Sequence, residues 1–366
     1  MPKKVLIHTR NLSIPGGKQS YLIALEDHLK SDISYFFYGT QVVKKETKVE
    51  FLKRFFGDYV QFYRLIKNGQ FDVVHINTSF NKKSYFRDSI FTLISSMLKV
   101  KTIVYWHGWR WDFENKIARK IQTYFHWTFG RADAMVLLAK EFMDQIRVYG
   151  YQKPVYLETT VVEDDIIQLA DNPQSLKAFQ NNEKPIVILF LSRVEVAKGI
   201  YETIDSFQTL LKKFPNIIFN IGGTGSELDR VKAYVKEKNI PNINFLGWIS
   251  GKDKVKVIQE SDIFVLASYS EGMPIAVLEA MAGGLSVVTT DVGGVKDFFE
   301  DEKMGLVVQK EDRKSLEVQF DRLLSDPAWR RRIGEYNIEY AKQKFSAIQV
   351  AGRLEGIYDD VFSGKS

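Results

Sequence analysis

Two successive sets of short, β-branched apolar segments, each alternating with amphipathic helical stretches, predict an α/β protein built from two domains around mostly parallel sheets. Three observations carry this. A length of 366 residues exceeds what one hydrophobic core normally organises. Strand candidates fall in two groups of six, at 5–9, 33–38, 73–77, 102–106, 134–138 and 155–157, then at 186–191, 217–221, 243–246, 263–267, 286–289 and 305–308. Between the groups lies the polar stretch DNPQSLKAFQNNEK at 171–184, followed by Pro185, which reads as a linker. The expected division is therefore 1–170, 185–340 and a helical tail at 341–366, within a stretch at 327–358 that is helical in pattern.

Composition narrows the function classes. Hydrophobic content of 45% and charged content of 26% are ordinary for a globular chain. Without cysteine there is no disulfide framework, thiolate metal site or cysteine nucleophile. The opening MPKKVLIHTR has an apolar run too short for a signal peptide, and the most apolar later window, SIFTLISSML at 89–98, is about half a membrane span. The expectation is a cytoplasmic protein. Net charge is +6, but residues 1–153 hold 25 Lys and Arg against 13 Asp and Glu, a balance of +12, and the remainder is −6. That asymmetry favours an anionic substrate or surface for the first half.

Open parallel sheets bind ligands beyond the carboxyl ends of their strands, so chemistry is sought just after each strand. Glu271-Gly-Met-Pro-Ile-Ala-Val-Leu-Glu279 follows the segment 263–267. Pro274 suits a first helical turn, which leaves Glu271 and Gly272 in the loop and puts Glu279 about a turn and a half into the helix. Carboxylates in both places suit a polyhydroxylated ligand, and backbone N–H groups at the helix start hold anionic or hydroxyl groups. Arg193 and Lys198-Gly199 follow 186–191, offering a guanidinium fork and an ammonium to a diphosphate. Gly222-Gly223-Thr-Gly225 follows 217–221, and Pro15-Gly16-Gly17 follows 5–9. Trp106-His107-Gly108 comes after 102–106.

These motifs, in this order, resemble those of glycosyltransferase family 4 and its relatives with the GT-B fold, whose E-x7-E motif the 271–279 segment matches. The resemblance spans Gly16 to Glu279. It implies two Rossmann-like domains facing each other across a cleft, with a C-terminal helix crossing back to the N-terminal, acceptor-binding domain. It implies a retaining, metal-independent hexosyl- or N-acetylhexosaminyl-transferase that uses no cofactor. The donor would be a nucleotide sugar, UDP-linked by preference, and the acceptor a cell-envelope glycan or lipid-linked molecule. Arg193 and Lys198 would bind the donor diphosphate, Glu279 the ribose hydroxyls, and Glu271 with Gly272, Met273 and Pro274 the sugar hydroxyls. His107 would contact that sugar from the first domain, and Gly16, Gly17, Gly223 and Gly225 would allow close backbone approach. Gly247 and Trp248 would line the base pocket, with Trp248 either stacking on the base or buried in the core.

Other features stay open. The acidic run Glu163-Asp164-Asp165 reads as a solvated loop. The helical segment FLKRFFGDYVQFYRLIK at 51–67 places Leu52, Phe55, Phe56, Tyr59, Phe62, Tyr63 and Ile66 on one stripe with basic neighbours. Residues 117–127, flanked by Arg110, Lys116, Arg119 and Lys120, repeat the theme. Such helices are either core or a docking face for an anionic membrane, which would make the protein peripheral on the inner leaflet. Nucleic acid is not expected as a partner, because it leaves the motifs of the second half unexplained. A sugar-nucleotide 2-epimerase and a catalytically silent sugar-nucleotide-binding subunit are the competing readings. A dehydrogenase is excluded by the absence of Gly-x-Gly-x-x-Gly, and a P-loop by Asp359 where the first glycine before Gly364-Lys365-Ser366 belongs.

Overall fold

The computed structural model describes residues 2–14, 16–39, 47–171 and 184–364. The chain forms two compact units, one of Met1–Val161 with Ala347–Ser366 and one of Val162–Ser346. Linker positions 172–183 lie outside the described residues.

The first unit holds a six-stranded sheet, β1 (Lys4–Thr9), β2 (Asp32–Phe37), β3 (Val73–Phe80), β4 (Lys101–Trp109), β5 (Ala134–Leu137) and β6 (Val155–Leu157). Spatial order is β2-β1-β3-β4-β5-β6 and every pair is parallel. Helices α1 (Gly17–Leu25), α2 (Lys48–Gly69), α3 (Lys82–Met97), α4 (Trp111–Trp127) and α5 (Lys140–Val148) connect the strands. Parallel strands are covered on both faces, which explains why β5 is apolar and buried at all four positions. A reciprocal capping box between Thr47 and Glu50 starts α2.

The second unit repeats the plan with β7 (Ile186–Leu191), β8 (Ile217–Gly222), β9 (Ile243–Gly247), β10 (Ile263–Leu266), β11 (Ser286–Thr290) and β12 (Gly305–Val308). Its order is β12-β11-β10-β7-β8-β9, again all parallel. Its helices are α6 (Asp164–Ile167), α7 (Ile200–Leu210), α8 (Leu228–Glu237), α9 (Gly251–Gln259), α10 (Ile275–Ala282), α11 (Val295–Phe298), α12 (Arg313–Ser325) and α13 (Pro327–Phe345). Asp326 caps α13 through its side chain and Pro327 occupies the first turn.

The final helix, α14 (Ala347–Ser363), belongs to the first unit. Glu355 accepts hydrogen bonds from the backbone N–H groups of Lys30 and Ser31, both at 2.8 Å, and from the Ser31 hydroxyl at 2.7 Å. Tyr358 pairs its hydroxyl with His75 Nδ1 at 2.7 Å, and Arg353 grips Glu158 through Nε at 2.9 and 3.0 Å. The tail therefore begins at Ala347, after Ser346, because Ala341 and Phe345 are buried in the second core.

Two expectations shift. Strands β3 and β4 run on past 77 and 106, since Phe80 still pairs with Trp109 beyond an irregularity at Thr78 and their rings stack at 4.0 Å. His107 and Gly108 consequently lie inside β4, not after it. The apolar stripe of α2 also divides: Tyr59, Phe62 and Ile66 are buried, whereas Leu52, Phe56 and Tyr63 are exposed along with Phe51 and Val60. A stripe spanning so much of the helix circumference cannot all face one core.

Candidate active site

In the second unit, strand order reverses between β7 and β10, so the loops after these neighbouring strands part in opposite directions and leave a crevice at their carboxyl ends. One loop carries Arg193 and Lys198, the other Glu271 to Pro274. Backbone bonds tie them together, with Tyr269 N–H donating to Ala197 O at 2.9 Å and Ser268 Oγ to the same oxygen at 3.0 Å. Gly199, at φ 69°, lies where any Cβ would collide with the Ala267 carbonyl oxygen, so only glycine closes the loops this tightly.

The result is a short ion pair between Lys198 Nζ and Glu271 Oε1 at 2.5 Å, both side chains largely shielded from solvent. Behind Glu271, the chain is backed by Gly293 and by the Gly294 N–H bond to Gly272 O at 2.6 Å. Gly223, at φ 131°, sits against the Ser192 carbonyl, and its N–H donates to Gly247 O at 2.6 Å, joining the ends of β7, β8 and β9. Gly225 lies under the Val194 backbone. Pro274 caps α10 and is buried, while Met273 is half-buried against the second core.

Glu279 on α10 is buried at 5% exposure. Its partner is Lys254 on α9, whose Nζ donates to Glu279 Oε1 at 2.6 Å and to Glu163 Oε1 at 3.0 Å. Burial raises the Glu279 pKa above the ordinary carboxylate value even though Lys254 pulls it down. Burial works against the Lys254 ammonium, but Glu279 and Glu163 outweigh it and leave its pKa above the usual lysine value. Glu163 is thus no bystander in a solvated loop: it caps α6 and completes a carboxylate–ammonium–carboxylate row. Lys254, one of three alternating lysines in 252–256, carries no motif signal, and only the packing of α9 beside α10 singles it out.

Not every expected residue converges. Arg193 is 68% exposed in its side chain and pairs with Glu195 at 2.7 Å. Trp248, at 72% exposure, is a surface residue, which removes the buried-core alternative.

In the first unit, Gly16 caps α1 and Gly17 is its first residue; Pro15 lies outside the described residues. His107 Nε2 meets Asn77 Oδ1 at 2.5 Å and its ring stacks on Tyr105 at 4.2 Å. Burial, reinforced by the Lys18 charge, pushes its pKa well below the usual value, so the imidazole is neutral and donates through Nε2–H to Asn77. Among the residues of the second basic aromatic segment, Trp127 is 60% exposed and Phe125 is buried; the side chains at 115–121 lie outside the described residues.

Lys254 generates a pH prediction. In Lys254→Met, Glu279 is left buried without its counter-ion, so its folded pKa climbs further above its unfolded value. Stability is then retained at low pH, where the carboxyl is protonated, and lost as pH rises through the folded pKa. Chemical denaturation should show a deficit of about 3 kcal/mol at pH 8 that shrinks markedly at pH 5 and is largely removed by adding Glu279→Gln. A deficit independent of pH contradicts the assignment.

Residues 171–340 match the family described as "Glycosyl transferases group 1". Over 225 residues the chain is 27% identical to the capsular polysaccharide biosynthesis glycosyltransferase CapM of Staphylococcus aureus, covering 61% of this chain and 57% of that protein. Over 181 residues it is 31% identical to the N,N'-diacetylbacillosaminyl-diphospho-undecaprenol α-1,3-N-acetylgalactosaminyltransferase of Campylobacter jejuni, covering 50% and 46%. The matches thus span about half the length of these relatives. Among solved structures, Anabaena HepE in complex with UDP-glucose superposes with a TM-score of 0.73 at 16% identity, covering 98% of this chain and 99% of that one. The chain therefore has the GT-B fold, and its residues 171–340 match the group 1 glycosyl transferases.

Proposed function

We propose that the chain is a retaining glycosyltransferase that moves a hexosyl or N-acetylhexosaminyl group from a nucleotide sugar, UDP-linked by preference, to a hydroxyl of a cell-envelope glycan or lipid-linked acceptor, without a metal. The observation that carries this reading is the placement of Lys198 beside Glu271, with Glu279 on the helix that begins where their loop ends, at the strand-order reversal of a group 1 domain. UDP-glucose in the similar HepE structure supports the donor class, and the names of the two relatives support the acceptor class.

In this reading Glu279 accepts the ribose hydroxyls, and the Lys254 ammonium keeps it available as a carboxylate. Arg193 is exposed and swings from Glu195 onto the diphosphate, while Lys198 approaches it from Glu271. Glu271 and the backbone of Gly272, Met273 and Pro274 take the sugar hydroxyls, with the α10 N-terminus adding its partial positive charge. Gly223, Gly225, Gly247 and Trp248 border the nucleoside, and Gly16 and Gly17 the phosphates. His107, neutral and fixed by Asn77, hydrogen-bonds the transferred sugar. Breaking a glycosyl phosphate leaves negative charge on the departing phosphate, and two cations aimed at that charge lower the barrier.

The exposed face of α2, with Phe51, Leu52, Phe56, Val60 and Tyr63 beside Lys53, Arg64 and Lys67, is assigned to an anionic membrane surface. Among the described residues no helix is long and apolar enough to cross a membrane. Vesicles rich in phosphatidylglycerol should co-sediment the protein in low salt, and Phe56→Glu should abolish this; equal binding by the variant removes the assignment.

The donor pocket is tested by thermal unfolding against a panel of nucleotides and nucleotide sugars in the presence of chelator. At a hundred times its dissociation constant one nucleoside diphosphate should stabilise the protein by about 2.7 kcal/mol. Glu279→Ala should lose that effect. No stabilisation by any of them would overturn the reading.

A further inference from the structure

The first sheet has its own reversal of strand order, between β1 and β3. Ligand sites favour such points in parallel sheets. Three cations gather there from separate elements. Arg10 is the first residue beyond β1, Lys18 is the second residue of α1, and Arg87 lies on α3, the helix that follows β3. Arg87 is fixed: Nε and Nη2 reach the two oxygens of Asp88 at 2.6 and 2.9 Å, and its guanidinium lies over the Tyr38 ring at 4.0 Å. Asp88, fully buried, also accepts from Thr78 Oγ1 at 2.8 Å.

Lys18 therefore feels the charges of Arg87 and Arg10 against one carboxylate, Asp88, that is already held by Arg87 and Thr78. The other titratable neighbours supply no charge. His8, stacked on Tyr38 at 4.5 Å, is held neutral by burial with its pKa lowered to about 3, and His107 is neutral as well. Thr9 Oγ1, 1% exposed at the end of β1, has no hydrogen-bond partner. Lys18 is half-buried, and burial together with Arg87 and Arg10 brings its pKa down to about 8 against the opposing pull of Asp88. A half-buried ammonium crowded by like charges, near a strand end whose last hydroxyl is unsatisfied, is short of an anion.

We propose that this point is a binding subsite for an anionic group, a phosphate or carboxylate carried by the acceptor, held by Arg10, Lys18 and Arg87. The inference rests on the transferase reading, in which the donor diphosphate is taken by Arg193 and Lys198, so that cations of the first unit remain for the second substrate. Arg87 is held in a fixed position by Asp88, Arg10 adds an exposed cation, and Lys18 supplies the charge that anion binding stabilises. A neutral glycan with the same hydroxyl would lack these contacts and bind more weakly.

Inorganic sulfate is the probe, because its charge is constant over the pH range used. Calorimetric titration of the full chain, with and without saturating UDP, is run on wild type, Lys18→Met and Lys18→Arg at pH 7 and pH 9. Wild type should bind sulfate whether or not UDP is present, about tenfold more weakly at pH 9, where Lys18 is mostly deprotonated. Lys18→Met should lose at least tenfold at pH 7, and Lys18→Arg should bind equally at both pH values. Equal sulfate binding by wild type and Lys18→Met, or none by wild type, overturns the subsite. A tenfold loss of UDP affinity in Lys18→Met, with sulfate displaced by UDP, also overturns it by placing the ammonium on the donor. Failure of wild type to bind UDP sinks the transferase reading separately, and the sulfate titration without nucleotide still decides the subsite.

Discussion

The reversal of strand order in each parallel sheet is the constraint from which the rest follows. Strands that continue in one direction from their neighbour place successive loops on the same side, whereas β7 and β10 are adjacent yet followed by helices that diverge, so their carboxyl ends are left uncovered. Lys198 and Glu271 occupy those two ends and meet at 2.5 Å. The glycines that look like a phosphate-binding signature also have a structural duty here. Gly199 and Gly223 let one loop lie against the backbone of the next, and the ion pair depends on that closeness.

The site stores charge in pairs rather than in single perturbed groups. Shielded ion pairs add little to stability, because desolvation offsets much of their attraction. Lys198–Glu271 and Lys254–Glu279 therefore make more sense as groups oriented for a polar ligand. The two pairs differ in what a ligand would do to them. Lys254 holds Oε1 of Glu279, so ribose hydroxyls bound at Oε2 would leave the pair intact. Lys198, by contrast, spends its short contact on Glu271, and a diphosphate must share or take it.

Much of this is legible in the sequence. Among the described residues each of the twelve strands overlaps one of the short apolar runs, with β3 and β4 running on beyond theirs, since strands of a covered parallel sheet are apolar on both faces. The loop positions of Lys198 and Glu271 follow from the same runs. What the sequence hides is lateral: which strands are neighbours, and which helix faces lie side by side. Glu163, Lys254 and Glu279 are far apart in the chain, and no spacing rule joins a lysine on α9 to carboxylates on α6 and α10. Arg10, Lys18 and Arg87 are hidden for the same reason, because only the adjacency of β1 and β3 gathers them. His107 lies within β4 rather than after it because aromatic pairing of Phe80 with Trp109 prolongs the strand, and the wide apolar stripe of α2 conceals a second, exposed face.

The central claim, that the β7–β10 crevice is a nucleotide-sugar donor site, is tested most directly by a crystal structure of the protein with UDP. The account predicts ribose hydroxyls within hydrogen-bond distance of Glu279, the Lys254 contact retained, and the diphosphate between Arg193 and Lys198 with the Lys198–Glu271 pair lengthened or opened. A nucleotide bound elsewhere, or a ribose that bypasses Glu279, would contradict it.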